Sequence, residues 1–319
     1  MWIKKGLIYS TTIKDDWNVS HAQVPIARLM EDRIRVYYST RSLINQSYTS
    51  FLDLDVENLK NIIYVHSTPI LKLGEPGTFD DSGIMPTSIL NINEKTYLYY
   101  IGWTKKQTVP YHNSIGIAVE GLDGNFEKLY QGPILTATKD EPFFCGTGCV
   151  YMESHDSFKM WYLSCIGWIS HEANLEPMYN LKYSTSSDGI TWVQNGKTAI
   201  ELECDEGGIA SATVLSLNSI YLMWFSVRKQ FDYRNNSKNS YRIKMAYSKD
   251  GINWKRSLDK RFDITISDEG WDSEMVAYPN VLLLKEKLIL FYNGNGFGKT
   301  GIGYAEMDIH SLENYIKTL

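Results

Sequence analysis

The chain has 319 residues, of which 43% are hydrophobic, enough to bury a sizeable core. Its formal net charge is −5, and no basic block interrupts the even spread of charges, which argues against nucleic-acid and membrane-surface partners. No apolar run approaches the roughly 18 residues of a membrane helix, and the N-terminus lacks the apolar segment of a signal peptide. The composition therefore favours a globular protein with neither kind of partner.

The four cysteines do not follow a metal-binding pattern. Cys145 and Cys149 form a C-x-x-x-C pair, and Cys165 and Cys204 stand apart, with no second pair or histidine cluster. This spacing fits no zinc site, and buried reduced thiols behave as small hydrophobic side chains. We therefore expect reduced cysteines and a cytoplasmic location.

A strand–turn–strand segment recurs along the chain, and each copy ends in aromatic residues. Its members align at Pro25, Pro86, Thr147, Ser211 and Pro279, with separations of 61, 61, 64 and 68 residues. Such a period is typical of repeat architectures. The five copies read HAQVPIARLMEDRIRVYYSTR (21–41), DSGIMPTSILNINEKTYLYYIGW (81–103), FCGTGCVYMESHDSFKMWYLSCIGW (144–168), GGIASATVLSLNSIYLMWFSVR (207–228) and EMVAYPNVLLLKEKLILFYNGNG (274–296).

A second repeated segment follows four of these copies. Asp188-Gly189 and Asp250-Gly251 are strong hairpin signals, and Trp192 and Trp254 occupy equivalent positions after them. Because they recur with the repeat, we expect both tryptophans to pack between neighbouring units. The segments are SIGIAVEGLDGNFEK (114–128), YNLKYSTSSDGITWVQ (179–194), YRIKMAYSKDGINWKR (241–256) and TGIGYAEMDI (300–309).

Five copies of a four-stranded unit at a nearly constant period predict an all-β fold, a five-bladed β-propeller. The last blade, near 274–309, supplies three strands only. We expect residues 2–9 to provide its outer strand, which would close the propeller and remove an open sheet edge. Residues 1–319 would then form a single domain, with a short helix or a loose end after residue 309.

Acidic residues lie in register before the first strand of several units. Five positions before the aligned residues are Ser20, Asp81, Pro142, Glu206 and Glu274. Equivalent strands of a propeller begin at the same end of the channel, so we expect Asp81, Glu206 and Glu274 to converge there beside His21. Carboxylates that share a cavity can act as acid, base or nucleophile on a glycosidic bond. The alternative is that they are solvated turn residues.

Polar and aromatic residues at the ends of the second strands give candidate substrate contacts. Two tryptophans could stack on sugar rings or pack between blades, and the arginines could hold a phosphate or carboxylate or lie in a solvated loop. Residues near the starts of the first strands complete the set. The substrate-binding candidates are Gln23, Arg41, Trp103, Trp168, Arg228, Arg234, Tyr278 and Asn295.

The repeated blades and the S-x-DG-x-x-W segments resemble the five-bladed propeller glycosidases, which include glycoside hydrolase families 32, 43 and 62 and the family 130 mannoside phosphorylases. The patterns GIMPTS, YIGW and YPNV…FYNGNG are closer to uncharacterised bacterial propellers associated with surface-polysaccharide gene clusters. Families 32 and 43 place an Asp directly before a Pro on the first strand, where this chain has Val24-Pro25 and Met85-Pro86. The phosphorylase Glu-Asp-Pro-Arg is replaced by IMPT at 84–87.

The resemblance implies a carbohydrate-active enzyme that cleaves or transfers a glycosyl group, with Asp81, Glu206, Glu274 and His21 as the catalytic candidates. A carbohydrate or a sugar phosphate is the expected ligand. One alternative is a non-catalytic glycan-binding propeller, and another is a phosphorylase-like or glycosyltransferase-like enzyme that uses phosphate or a nucleotide-sugar; a scaffold for protein partners is a third. We expect no cofactor, although the acids would allow a structural Ca²⁺ in the channel. The sequence leaves the sugar, the bond and the oligomeric state open.

Overall fold

The computed structural model describes residues 1–12, 15–172 and 174–319, and most of their regular structure is β. Aromatic and β-branched residues fill the strands, as expected for half-buried pleated surfaces. The strands are β1 (Ile3–Tyr9), β2 (Ser20–Leu29), β3 (Arg33–Arg41), β4 (Ser47–Asp55), β5 (Ile62–Val65), β6 (Gly83–Ile92), β7 (Lys95–Lys105), β8 (Tyr111–Glu120), β9 (Phe126–Lys128), β10 (Cys145–Ser154), β11 (Ser157–His171), β12 (Asn174–Ser186), β13 (Val193–Ile200), β14 (Glu206–Leu217), β15 (Ile220–Lys229), β16 (Arg242–Ser248), β17 (Lys255–Arg256), β18 (Ala277–Leu284), β19 (Lys287–Asn293) and β20 (Ile302–Asp308).

These strands pair as antiparallel units of four, in the order β2-β3-β4-β5, β6-β7-β8-β9, β10-β11-β12-β13, β14-β15-β16-β17 and β18-β19-β20-β1. We number the units 1 to 5 in that order. Single parallel bridges, Ser47 with Gly83 and Tyr179 with Gly208, link units 1 and 2 and units 3 and 4. The repeat read from the sequence therefore corresponds to the unit of strand pairing.

The first strands of the units contact one another in cyclic order. β2 contacts β6, β6 contacts β10, β10 contacts β14, β14 contacts β18, and β18 contacts β2. The second strands lie behind them and are almost fully buried along their centres. The first strand of every unit thus lies on the inner side of the molecule.

The N-terminal strand completes unit 5. β1 runs antiparallel to β20, with pairs from Ile3–Glu306 to Tyr9–Ile302. The indole of Trp2 is buried, and its Nε1 donates a hydrogen bond of 3.0 Å to the carbonyl of Phe262. The predicted role of residues 2–9 as the outer strand of the last unit agrees with this pairing.

Trp192 and Trp254 pack against the preceding unit, as their recurrence predicted. Trp192 of unit 3 meets Tyr99 of unit 2 edge-to-face at 6.5 Å between ring centroids. Trp254 of unit 4 meets Trp161 of unit 3 in the same way at 5.6 Å. Edge-to-face aromatic pairs of this kind add to the free energy of burial.

The Asp-Gly turns that precede these tryptophans are also bound to the preceding unit. Tyr99 donates a hydrogen bond of 2.6 Å to the carbonyl of Gly189, and Trp161 Nε1 donates one of 2.8 Å to that of Gly251. Both glycines have positive φ, near 74° and 73°. The tight turn therefore needs glycine and also supplies a contact between units.

Helices are few and short. The helical turn α1 (Asn295–Gly298) follows β19, and α2 (Ile309–Ile316) ends the fold. The side chain of Asp308 caps α2 by accepting a hydrogen bond from the amide of His310, and Leu312 and Ile316 are buried against the core. Among the described residues, no helix is long and apolar enough to cross a membrane.

Candidate functional site

The first strand of each unit contains a β-bulge or irregularity near its start. The pairing of the first and second strands shifts register near Pro25, Thr87, Thr147, Ser211 and Tyr278. Four residues at these points, Val24, Thr147, Ser211 and Tyr278, have positive φ, between 38° and 55°. Such values are unusual for residues other than glycine, above all for β-branched ones, and they cluster at functional sites. Of the residues at these bulges, Val24, Thr147 and Tyr278 line one cavity.

Polar side chains bind the backbone amides that three of these bulges leave unpaired. Asn293 Oδ1 accepts from the amide of Val24 at 2.7 Å, and Ser226 Oγ accepts from that of Tyr278 at 2.8 Å. In each case the acceptor belongs to the neighbouring unit. The third acceptor is Thr147 Oγ1, which binds the amide of Ser211 at 3.2 Å. Because a buried amide without a partner costs free energy, these bonds stabilise the strained backbone.

All units contribute to a cavity of about 440 Å³ at the edge where the first strands begin and the second strands end. No Asp or Glu of the described residues lines it, whereas cationic and aromatic side chains are abundant. Its lining consists of His21, Gln23, Val24, Arg41, Asn45, Met85, Ile101, Trp103, Lys105, Pro110, Tyr111, Asn113, Phe144, Thr147, Leu163, Tyr179, Ala210, Tyr233, Arg234, Tyr241, Tyr278 and Phe297.

Arg41 is a cation of the cavity whose side-chain partners are two neutral amides. Its Nε donates to Gln23 Oε1 at 3.0 Å, and its Nη1 donates to Asn45 Oδ1 at 2.9 Å. It forms no ion pair with a carboxylate in the part of the chain that the structure describes. Burial lowers its pKa, which indicates that the charged form is incompletely solvated.

His21 lies beside Arg41 and is uncharged at neutral pH. Burial, and then the charges of Arg41 and Lys299, lower its pKa from 6.5 to about 4. Its Nδ1 is 2.9 Å from Ser20 Oγ. The local field on this side of the cavity is therefore positive.

Arg234 also lines the cavity, but it has a carboxylate partner. Its Nε and Nη2 each lie 3.3 Å from the oxygens of Glu176, and its Nη2 donates to Tyr233 Oη at 2.7 Å. Arg234 and Tyr233 also line a second, polar pocket of about 340 Å³, which Glu274, Asn235 and other residues border. We call this the side pocket. The two cavities share a wall.

The carboxylate of Glu206 points away from the cavity. It accepts a hydrogen bond of 2.7 Å from Arg256 on β17 and lies 3.5 Å from Lys244 on β16. Although burial opposes ionisation, the Arg256 hydrogen bonds hold the pKa of Glu206 below its ordinary value. Glu206 therefore connects the start of a first strand to the outer strands of its own unit.

Units 2, 3 and 5 each contain a comparable acid near the start of the first strand. In these units a tyrosine of the second strand donates a hydrogen bond to the acid. Each of these acids is buried and ion-paired with a lysine of an outer strand. With Glu206 we call them the buried acids: Asp80 bound by Tyr100 and Lys128, Glu141 bound by Tyr162 and Lys182, and Asp272 bound by Tyr292 and Lys4.

Asp81, Glu206 and Glu274 thus do not meet in the cavity, contrary to the expectation from register. Asp81 accepts hydrogen bonds of 2.9 Å from the amide of Gly77 and from Ser82 Oγ, within its own loop. Glu274 is exposed and borders the side pocket instead. The alignment placed the three residues at equivalent backbone positions. Their side chains nevertheless point toward outer strands, a loop or the side pocket.

The remaining sequence candidates divide into two groups. One group lines the cavity and consists of His21, Gln23, Arg41, Trp103, Arg234 and Tyr278. Trp168 packs against Tyr111 and Phe144 behind the wall, and Asn295 accepts from the amides of Glu274 and Met275, so neither lines it. Arg228 is fully buried behind Tyr179 and Tyr233.

Sequence reasoning missed the tyrosines at or near the start of the third strands. Tyr111, Tyr179 and Tyr241 lie 68 and 62 residues apart and all face the cavity. Because neighbouring strands are antiparallel, the start of a third strand lies at the same edge as the start of a first strand. The tyrosines could therefore have been found by aligning the third strands of the repeat. The other candidates came from the first and second strands.

The described residues contain no group of three or more His, Cys, Asp and Glu side chains arranged to hold a metal. Asp81, Glu206 and Glu274, the acids that suggested Ca²⁺, do not share one site: Asp81 lies in its own loop, Glu206 is paired with Arg256, and Glu274 borders the side pocket. Calcium prefers 6–8 oxygen ligands, so the donor set does not fit it.

No family model matches the chain. Rv1502 of Mycobacterium tuberculosis strain H37Rv, described as an uncharacterised protein, is 32% identical over 309 residues, which cover 96% of this chain and 99% of that protein. Two solved structures share the fold at lower identity. The first, a complex of BT0996 with RGII, has a TM-score of 0.73 at 18% identity, covering 96% of this chain and 92% of the other.

The second structure comes from a study of the GH130 family of mannoside phosphorylases, which contains glycoside hydrolases that target β-1,2 mannosidic linkages in Candida mannan. Its TM-score is 0.69 at 15% identity, with coverage of 97% of this chain and 94% of the other. Identities this low show the fold alone. The fold is all-β and is shared with these glycoside hydrolase-like structures, as the sequence resemblance implied.

Proposed function

The chain belongs to the same family as Rv1502, and we propose that it is a carbohydrate-active enzyme that transfers or cleaves a glycosyl group on a substrate with an anionic substituent. One observation carries the proposal. The cavity contains Arg41, which has no carboxylate partner in the described residues, and it is lined by no Asp or Glu of those residues. The ligand is the natural source of the missing negative charge.

We further propose that the five units are the blades of one propeller domain of residues 1–319, closed by β1. The cyclic contacts of the first strands and the pairing of β1 with β20 support this arrangement. In such a fold a ligand site at the channel mouth receives side chains from every blade, as this cavity does.

The charge and shape of the cavity favour a sugar that carries a phosphate or a carboxylate. Guanidinium groups bind both anions through paired N–H donors. Trp103, Phe144 and Phe297 provide flat apolar surfaces of the kind on which sugar rings stack. A glycosyl phosphate, a nucleotide-sugar and an acidic sugar all satisfy these requirements.

The placement of the carboxylates favours transfer that involves a phosphate over hydrolysis by two carboxylates. The usual glycosidase mechanism needs two carboxyl groups on either side of one bond. Glu274 of the side pocket is the candidate acid closest to this scheme, because the two cavities share Tyr233 and Arg234. For a glycosyl phosphate, the bond between the anomeric carbon and oxygen breaks with its electron pair on phosphate. The acceptor hydroxyl attacks that carbon and gives its proton to Glu274.

A non-catalytic glycan-binding protein is the second candidate, and the carboxylate-free lining of the cavity among the described residues favours it. Such a protein would bind the same anionic sugars without turning them over. Binding and turnover must therefore be measured separately.

Calorimetry with inorganic phosphate, glucose 1-phosphate, glucuronate and maltose tests the binding part of the proposal. We expect the anions to bind and maltose to bind more weakly, and Arg41→Met to weaken anion binding at least ~10-fold, since a charge-assisted contact is lost. Arg261→Met is the matched control, because this exposed arginine pairs with Asp259 outside the cavity. Equal affinity for maltose and the anions, or an unchanged Arg41→Met variant, would overturn the proposal.

Turnover is tested by phosphorus NMR with glycosyl phosphates and neutral sugar acceptors. We expect release of phosphate that is lost in Glu274→Gln but retained in Asp81→Asn, because Asp81 lies in its own hydrogen-bonded loop. Anion binding without turnover of any tested donor favours the binding protein.

We also propose a cytoplasmic location. All four cysteines are free in the structure, and Cys145 and Cys165 are buried. Fractionation of the producing cells, with thiol labelling before and after unfolding, tests the location and the reduced state.

A further inference from the structure

Two tyrosines of different units meet at the wall of the cavity. Tyr179 belongs to β12 and Tyr241 directly precedes β16, and their hydroxyl groups are hydrogen-bonded to each other. Both residues line the cavity. We call them the tyrosine pair.

Arg228 lies directly behind this pair. Only 1% of its surface is exposed, and its Nε donates a hydrogen bond of 3.0 Å to Tyr179 Oη. The guanidinium carbon lies 3.8 Å from the ring centroid of Tyr233. Its Nη1 and Nη2 donate to the backbone carbonyls of Lys229 and Pro177.

Arg228 forms no ion pair with a carboxylate within the described ranges. A buried cation is normally paired with an anion. Here aromatic faces and neutral oxygens surround it, and although burial opposes the charge, Tyr179, Tyr241 and Tyr233 raise the pKa of Arg228. The protein thus keeps a permanent positive charge behind the cavity wall.

The hydrogens of the pair determine what it offers to a ligand. Tyr179 Oη accepts from Arg228, which has no acceptor of its own. The pair has two phenolic hydrogens, and only one of them is used between the two oxygens. No other acceptor for either hydroxyl is present among the described residues. One O–H therefore remains available to the cavity.

We propose that the tyrosine pair donates a hydrogen bond to an anionic oxygen of the ligand, and that Arg228 is the positioning residue that holds Tyr179 in place. The inference rests on the proposed function and assigns a second contact for the anion, in addition to Arg41. Burial raises the pKa of Tyr241 well above its ordinary value, so this hydroxyl remains protonated and can act as a donor at neutral pH.

A purely structural role for the pair is the competing explanation, since it connects units 3 and 4. The chain provides a matched control for that role. Tyr9 and Tyr38 form another buried hydroxyl pair, with 3.1 Å between the oxygens, and neither residue lines the cavity. Loss of a hydroxyl from that pair changes packing between strands without changing the cavity.

The test measures the affinity of the full-length protein for inorganic phosphate and glucose 1-phosphate by calorimetry. We expect the double variant Tyr179→Phe/Tyr241→Phe to weaken binding about tenfold, the loss expected for one charge-assisted hydrogen bond, because either hydroxyl alone could still donate to the ligand. Tyr38→Phe should bind as the unmodified protein does. Arg228→Lys, which keeps the charge in place, should retain more affinity than Arg228→Met.

The outcomes separate the two proposals. If the double tyrosine variant binds phosphate normally while Arg41→Met does not, the role of the pair is overturned and the proposed function stands. If the unmodified protein binds no anion, the proposed function fails and the inference fails with it. If the double tyrosine variant loses melting temperature as Tyr38→Phe does and keeps its affinity, the pair is structural.

Discussion

The buried acids and the cavity use ionisable side chains in opposite ways. Each buried acid is enclosed by a cation and, in three units, by a tyrosine that donates to it. In the cavity, Arg41 and the tyrosine pair have donors without acidic partners in the described residues. The carboxylates are thus satisfied within the protein, whereas the cavity donors remain available to a ligand.

This difference shows that, in a fold of repeated units, the residues that recur in each unit are not the same as the residues that form the ligand site. A residue type that recurs in equivalent positions serves a need shared by every unit, such as the connection of a first strand to an outer strand. A cavity built from all units needs different residues from each, and its lining accordingly repeats only in part. The recurring buried acids near the starts of the first strands are therefore evidence of architecture and not of catalysis.

Deletion of residues 1–9 should have the largest effect. It removes β1, the indole of Trp2 and the ion pair of Lys4 with the buried acid Asp272, and it leaves β20 as an open edge. We expect aggregation or a large loss of melting temperature, measured by circular dichroism and size-exclusion chromatography. Deletion of residues 317–319 is the control. A soluble truncated chain with unchanged melting would contradict the assigned closure.

Glu206→Ala should be the most damaging single change at a buried acid. It leaves Arg256 and Lys244 without their buried partner, which costs about 3 kcal/mol or more. Glu203→Ala is the matched control, because Glu203 contacts the same Arg256 at 3.3 Å but is exposed, and exposed pairs contribute roughly 0–1 kcal/mol. Urea unfolding of both variants measures the difference. Equal losses would mean that burial does not distinguish the two acids.

Much of the fold followed from the sequence because the repeat is strong. The period, the Asp-Gly turns and the N-terminal strand predicted the strand pairing that the structure contains. Hairpin signals and alternation are local, so they can be read without knowledge of side-chain orientation. The packing of Trp192 and Trp254 followed from the same repeat.

The site could be predicted only in part, because the direction of a side chain depends on the bulge in its strand. His21, Gln23 and Arg41 were placed at the correct edge and do line the cavity. Glu206 begins a first strand, as expected, but its partner Arg256 lies 50 residues further along the chain. No local pattern shows such a pairing, whereas comparison of the third strands would have revealed Tyr179 and Tyr241.

The pKa of His21 gives the smallest predicted effect, and it tests whether the cavity is positively charged. Because its pKa is lowered to about 4, the imidazole should remain neutral through the range in which an ordinary histidine, near 6.5, gains its proton. The unfolded chain binds this proton at higher pH than the folded chain. The contribution of His21 to stability is therefore complete above about pH 6.5 and is lost progressively as the pH falls toward 4.

Histidine NMR titration measures this directly, with His310 as an internal control. His310 is exposed, and its hydrogen bond to Glu313 raises its pKa, so it should titrate above the ordinary value while His21 titrates below it. Phosphate bound beside Arg41 should raise the pKa of His21, because the anion offsets the positive charge, and Arg41→Met should raise it without a ligand. The His310 titration should not move in either case. If saturating phosphate leaves the His21 titration unchanged, the anion does not bind near Arg41. The lack of carboxylates in the cavity lining would then not be explained by an anionic ligand.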